Sequence, residues 1–229
     1  DTSSFYTAME DRLTSINPGL DLILAPGVEI YNLDGNVSLG TVGSSPERDW
    51  NLASSRFGPK GAPGILTLRA SRNLVFYNAL SDGFSGGENL WLSPLSEFNP
   101  KLPANSQSWS FRLTAGADFS AASYRAVKPL ESLGTTSGSL LLGKNAGSAT
   151  VQDGGEALTS SLIENLYQVI RAGSGDIDIN AGRNVRLLNP FASIYTAGTQ
   201  VADPTKVFNA DDFIVPILDR VVQQGNLGA

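Results

Sequence analysis

Two stretches of the chain carry the same short phrase: GILTLRASRNLVF at Gly64–Phe76 and GSGDIDINAGRNVRLL at Gly173–Leu188. A turn residue is followed by apolar residues at offsets +2 and +4, a small residue at +6 and an apolar residue at +10. Gly64 precedes Leu66, Leu68, Ala70 and Leu74; Gly175 precedes Ile177, Ile179, Ala181 and Val185. Trp109 opens a third copy with Phe111, Leu113, Ala115 and Phe119. Leu22, Leu24, Pro26 and Ile30 form a looser one, and Val37 with Leu39 and Leu140 with Leu142 are partial ones. Period-two alternation marks a strand with one buried face, and Ala-Gly, Ser-Arg-Asn and Gly-Arg-Asn turns end each run within about six residues.

The +2 anchors fall at 22, 37, 66, 111, 140 and 177, in steps of 15, 29, 45, 29 and 37. Units repeating at loose periods of roughly 20 to 50 residues point to a parallel β-helix, in which no coil buries its own apolar face and stacking completes the core. At about 20 to 25 residues per coil the expectation is roughly nine to eleven coils and, at ~4.8 Å each, a rod ~45 to 50 Å long. A β-sandwich is the competing architecture. It needs hairpins, and no two-residue Asn-Gly or Asp-Gly link joins these copies. The expected division is a lead-in or cap at 1–20, a β-helix at 21–200 with an excursion at 83–107, and a cap or linker at 201–229. Asn209–Gln224 carries the start signal and apolar spacing of a short helix, interrupted by Pro216. Glu156–Arg171 fits a helix, while its end, Tyr167–Arg171, fits a strand equally well.

Composition narrows the chemistry. The 229 residues contain no Cys and no His, which removes disulfides, thiol nucleophiles, Ser-His-Asp triads, HExxH metalloproteases and His-based transition-metal sites. Charged residues are only 17%, against roughly 25% in an ordinary soluble domain, while Gly 24 and Pro 12 supply many turns. Sixteen Lys and Arg against 22 Asp and Glu leave a net charge of -6, the wrong sign for holding nucleic acid or anionic lipid. No run reaches the roughly 18 apolar residues that would span a bilayer, so no membrane insertion is expected. The chain opens on Asp1 without a signal-peptide pattern and reads as an internal or processed piece.

Two groups of side chains are candidates for binding. Asp176 and Asp178, two apart on a strand, share a face and form a candidate pair for one calcium ion; the same positions serve equally as solvated partners of Ile177 and Ile179. Arg69, Arg112 and Arg186 likewise occupy outward positions that keep a surface soluble. Trp50, Phe57, Phe84 and Trp91 lie in Gly/Ser/Pro-rich stretches and offer platforms for a sugar ring or a partner protein, Phe84 and Trp91 within the 83–107 excursion. Aromatics folding back to plug a coil end are the alternative. The Gly-rich run Gly134–Gly147 lacks both phosphate-binding patterns.

Five phrases taken together resemble a family. DLILAPGVEI (Asp21–Ile30), DWNLASSRFG (Asp49–Gly58), GILTLRASRNLVFYNALSDGF (Gly64–Phe84), SWSFRLTAGADFSAA (Ser108–Ala122) and GSGDIDINAGRNVRLLNPFASIYTAGT (Gly173–Thr199) are similar to passages of the large bacterial exoproteins of the filamentous haemagglutinin type, secreted by the two-partner route. The resemblance implies a right-handed parallel β-helix and a place outside the cell or on its outer surface. It also implies export through an outer-membrane two-partner transporter, and roles in adhesion, biofilm or contact-dependent interaction. The amino-terminal secretion module with its Asn-Pro-Asn signature is not visible, nor is a carboxy-terminal toxin, and no catalytic residue carries over from a passenger region. The expectation is therefore a non-enzymatic adhesive segment that meets a glycan or a cell-surface protein. The rivals are a homopolymeric fibre subunit and a calcium-dependent polysaccharide-cleaving enzyme.

Overall fold

The computed structural model describes residues 2–16, 18–19, 22–44, 48–82, 107–144, 168–189, 192–196 and 198. The chain passes repeatedly, in the same cyclic order, through three parallel sheets of four strands each. The first sheet holds β1 (Gly27–Asn32), β4 (Ile65–Ala70), β7 (Ser110–Ala115) and β10 (Ile177–Ala181). The second holds β2 (Val37–Leu39), β5 (Leu74–Phe76), β8 (Leu140–Leu142) and β11 (Val185–Leu187), and the third β3 (Trp50–Asn51), β6 (Leu80–Ser81), β9 (Val169–Ala172) and β12 (Ser193–Thr196). One passage through all three sheets is a rung. The described residues make four, and the result is an all-β parallel solenoid with one helix.

Register turns the sequence offsets into interior columns. Val28, Leu66, Phe111 and Ile177 are aligned partners in the first sheet, with Ile30, Leu68, Leu113 and Ile179 beside them. Leu39, Phe76, Leu142 and Leu187 form a column in the second sheet, and Leu80, Ile170 and Ile194 one in the third. The two middle rungs are sealed: Phe111, Leu113, Leu74, Leu140, Leu142, Leu80 and Ile170 are all fully buried. Each such side chain contributes about 1.5–3 kcal/mol over its exposed state. The +6 residues Ala70 and Ala115 are small because the chain turns there from the first sheet toward the second.

Three expectations need correction. The loose copy at Leu22–Ile30 is placed out of register, since the strand begins at Gly27 and its inward residues are Val28 and Ile30. The coil count is also wrong. First-sheet anchors at 28, 66, 111 and 177 are separated by 38, 45 and 66 residues. The sequence series had interleaved second-sheet anchors, 37 and 140, with first-sheet ones. The four rungs of the described residues, at ~4.8 Å each, extend about 14 Å along the axis, against the ~45 to 50 Å expected. Phe119, the +10 residue of the third copy, is not in the second sheet, because residues 116–139 intervene before β8.

Trp109 explains two glycines. It occupies the position of Gly64 in the rung before and Gly175 in the rung after. A Cβ on Gly64 would lie 2.5 Å from the Trp109 ring, and one on Gly175 would lie 2.0 Å from its carbonyl oxygen. The indole Nε1 donates to the Ser55 carbonyl at 2.9 Å. Corners are closed by asparagine: Asn73 N–H donates to Asn36 Oδ1 at 3.0 Å and Ser139 N–H to Asn73 Oδ1 at 2.9 Å, one rung to the next. Such side-chain-to-backbone bonds satisfy peptide groups that leave the ladder at a turn.

Helix α1 (Thr2–Ile16) stands before the first rung, in the region read from sequence as a lead-in or cap. The turn at Pro18–Gly19, with Gly19 at φ 93°, follows it. Tyr6 packs on Phe57 with ring centroids 5.7 Å apart, and Glu10, almost fully buried, accepts from Leu24 N–H at 3.4 Å. Strand β9 resolves the end of the ambiguous stretch: Val169–Ala172 is extended, whereas 156–167 lie outside the described residues. The Asn209–Gln224 segment also lies outside them.

Candidate functional site

The outward face of the first sheet carries a polar cleft. Parallel register puts Glu29, Thr67, Arg112 and Asp178 in one outward column, and Tyr31, Arg69, Thr114 and Asn180 in the next. The segment after β7 folds back onto this face and is held by an antiparallel bridge between Ala117 and Val127. Phe119 lies over the Arg69 guanidinium at 4.5 Å, and Tyr31 packs against it at 5.9 Å. Thr114 Oγ1 donates to the Tyr124 carbonyl at 2.7 Å. Tyr124 and Arg125 are thereby brought over β10.

Asp178 is the hub. Tyr124 Oη donates to its Oδ2 at 2.8 Å, Arg125 Nε to the same oxygen at 2.7 Å, and Asn180 Nδ2 to Oδ1 at 2.9 Å. Partial burial pushes the carboxyl upward, but the bonds from Arg125, Tyr124 and Asn180 outweigh it and hold its pKa below the usual carboxylate value. Arg112 stacks on the Tyr124 ring at 4.5 Å, with Arg125 at 5.3 Å from the same ring. Among the described residues Arg112 forms no ion pair. A cavity of about 470 Å³ opens here, lined by Ser110, Arg112, Tyr124, Arg125, Asp176 and Asp178 with apolar edges of flanking residues.

This arrangement presents donors from two guanidinium groups and acceptors from two carboxylates at fixed spacing. It suits a ligand rich in hydroxyl groups, which both donate and accept. Asp178 itself is poorly suited to proton abstraction, because an acid saturated with donors and pulled low is a weak base. Of the candidate calcium pair, Asp178 already holds a cation, Arg125. Asp176 precedes the strand, donates its N–H to Ser110 Oγ at 3.1 Å and accepts from Phe111 N–H at its carbonyl at 2.8 Å. No group of three acidic side chains converges among the described residues.

The two described aromatic candidates, Trp50 and Phe57, do not line this cleft. Trp50 sits in β3 at the open end of the interior, lining an apolar cavity of about 310 Å³ with Ile30, Val37, Leu39, Leu68 and Phe76. Phe57 is packed between Tyr6 and Trp109. Phe84 and Trp91 lie outside the described residues. Tyr124 and Arg125 were missed because they sit in an excursion between strands, where alternation gives no signal; Arg112 and Asp178 were visible as outward residues of strands. Among the described residues no helix is long and apolar enough to cross a membrane.

Fold and face define the class: a parallel β-solenoid of three sheets with a polar, clefted outer wall. No protein-family model matches the chain, and neither does any curated protein or solved structure searched.

Proposed function

We propose that the chain is a non-enzymatic structural and adhesive segment of a secreted bacterial exoprotein, a right-handed β-helix that displays a binding wall to a glycan or a protein surface. The observation that carries this reading is the cleft at Arg112, Tyr124, Arg125 and Asp178, whose fixed donors and acceptors are built for hydrogen bonding. The extracellular setting, the two-partner transporter as export partner and the filamentous haemagglutinin relationship are supported by the five sequence phrases. The absence of Cys and the low charge fit a chain that folds by stacking after export.

Binding of polysaccharide probes tests it: dextran, chitin oligosaccharides and polygalacturonate applied to the immobilised chain. The expected result is saturable binding of at least one probe that falls about tenfold or more in Arg112→Ala, the worth of one charge-assisted hydrogen bond, with the far-ultraviolet circular dichroism unchanged. Binding indifferent to Arg112→Ala would place the adhesive surface elsewhere, and no binding to any probe would remove the glycan reading. Including calcium with polygalacturonate also tests the lyase alternative through the absorbance of unsaturated products.

A further inference from the structure

We propose that the two open ends of the solenoid are complementary, and that a second copy of this chain stacks head to tail, the fourth rung of one against the first rung of the next. Among the described residues β1, β2 and β3 are paired on one side only, and so are β10, β11 and β12. Both ends expose interior residues that are fully buried in the rungs between them. Val28 is 40%, Ile30 38% and Trp50 39% exposed at the first rung, and Val185 49% and Leu187 51% at the fourth. Their column partners Phe111, Leu113, Leu140 and Leu142 are 0% exposed. The named contacts of helix α1 run to Phe57 and Leu24, while Val28, Ile30 and Trp50 of the first rung stay exposed beside it.

Three repeating features identify the occupant as another copy. The outlines match, since each end presents the same three parallel edges and stacking rung on rung is the interface that already builds the molecule. The corner after the second sheet alternates. Gly40 and Gly143, both at positive φ, stand in the first and third rungs, and Asn78 and Asn189 lie over them from the second and fourth. A first rung placed after a fourth continues that alternation unbroken. In the column before the second sheet, Asn36, Asn73, Ser139 and Asn184, side-chain oxygens accept from the next rung's N–H at the first two steps, and a following copy would set its Asn36 beside Asn184 in the same column. Glu29 and Asp178 would become neighbours at the junction, but each already holds an arginine, Arg69 at 3.1 Å and Arg125 at 2.7 Å.

The contact is heterologous, so it propagates into a filament rather than closing as a pair. Light scattering and negative-stain electron microscopy on the full chain across a broad concentration series test it. The expected result is mass rising with concentration in multiples of 24.1 kDa, as unbranched filaments. Val28→Lys blocks one end and Val185→Lys the other, with Leu187→Lys as the substitute if Val185→Lys alters the circular dichroism. Each variant alone is expected to stay single, and a mixture of the two to form pairs that stop at two. A wild-type chain that remains a monomer at every concentration would overturn the proposal, as would filaments that persist in both variants.

Discussion

Asp178 shows how one outward residue gains a structural role that its strand position does not disclose. On alternation alone it is a solvated partner of Ile177 and Ile179, and substitution there is expected to be nearly silent. The structure instead gives it three donors, two of them, Tyr124 and Arg125, from the segment that folds over the first sheet. Asp178→Asn should therefore cost about 1 kcal/mol at neutral pH, since hydrogen bonds to a charged group are worth more than neutral ones while Arg125 is largely exposed. The pH dependence has a definite sign. Because the folded pKa is lowered, this contribution is complete above the unfolded value of about 3.9 and is lost as pH falls through the folded value below it. Urea midpoints of wild type and variant should differ at pH 7 and converge as the pH is taken below about 4. A gap that stays constant on acidification would mean that the carboxylate does not hold the segment.

At the scale of the element, the strands were legible and the connections were not. Leu66, Leu68, Ala70 and Leu74, and likewise Phe111, Leu113 and Ala115, fall on interior columns as their spacing requires, because a period of two leaves a half-buried strand no other arrangement. Leu66→Lys or Phe111→Lys buries an unpaired charge between two rungs and is expected to cost several kcal/mol, whereas Thr67→Lys, one residue away on the outward face, should stay within about 0.5 kcal/mol. Chemical denaturation measures both; equal losses would contradict the inward and outward assignment. What alternation could not supply was which sheet a strand belongs to. Val37 and Leu140 read like Leu66 and Ile177, yet they begin second-sheet strands, and mixing the two sets shortened the apparent period. The cleft was half legible for the same reason: Arg112 and Asp178 lie on strands, while Tyr124 and Arg125 are placed by Thr114, which bonds the Tyr124 carbonyl, and by Arg69, which holds Phe119 of the same segment, contacts that no local pattern encodes.

The whole molecule is a stack in which each rung is completed by its neighbours, so its central claim is the parallel register that aligns residues far apart in sequence. That register is open to direct measurement, because the chain has no cysteine of its own. Thr67 and Arg112 are aligned partners on neighbouring strands of the first sheet. Adjacent strands lie about 4.8 Å apart, inside the range a disulfide spans. The double substitution Thr67→Cys and Arg112→Cys should therefore cross-link readily under mild oxidation of the folded chain, with the linked peptides identified by mass spectrometry. The pair Thr67→Cys and Leu113→Cys, one residue out of step and on opposite faces, should not. Efficient linkage of the first pair alone is the result the parallel solenoid predicts; linkage of the second pair, or of neither, would contradict it.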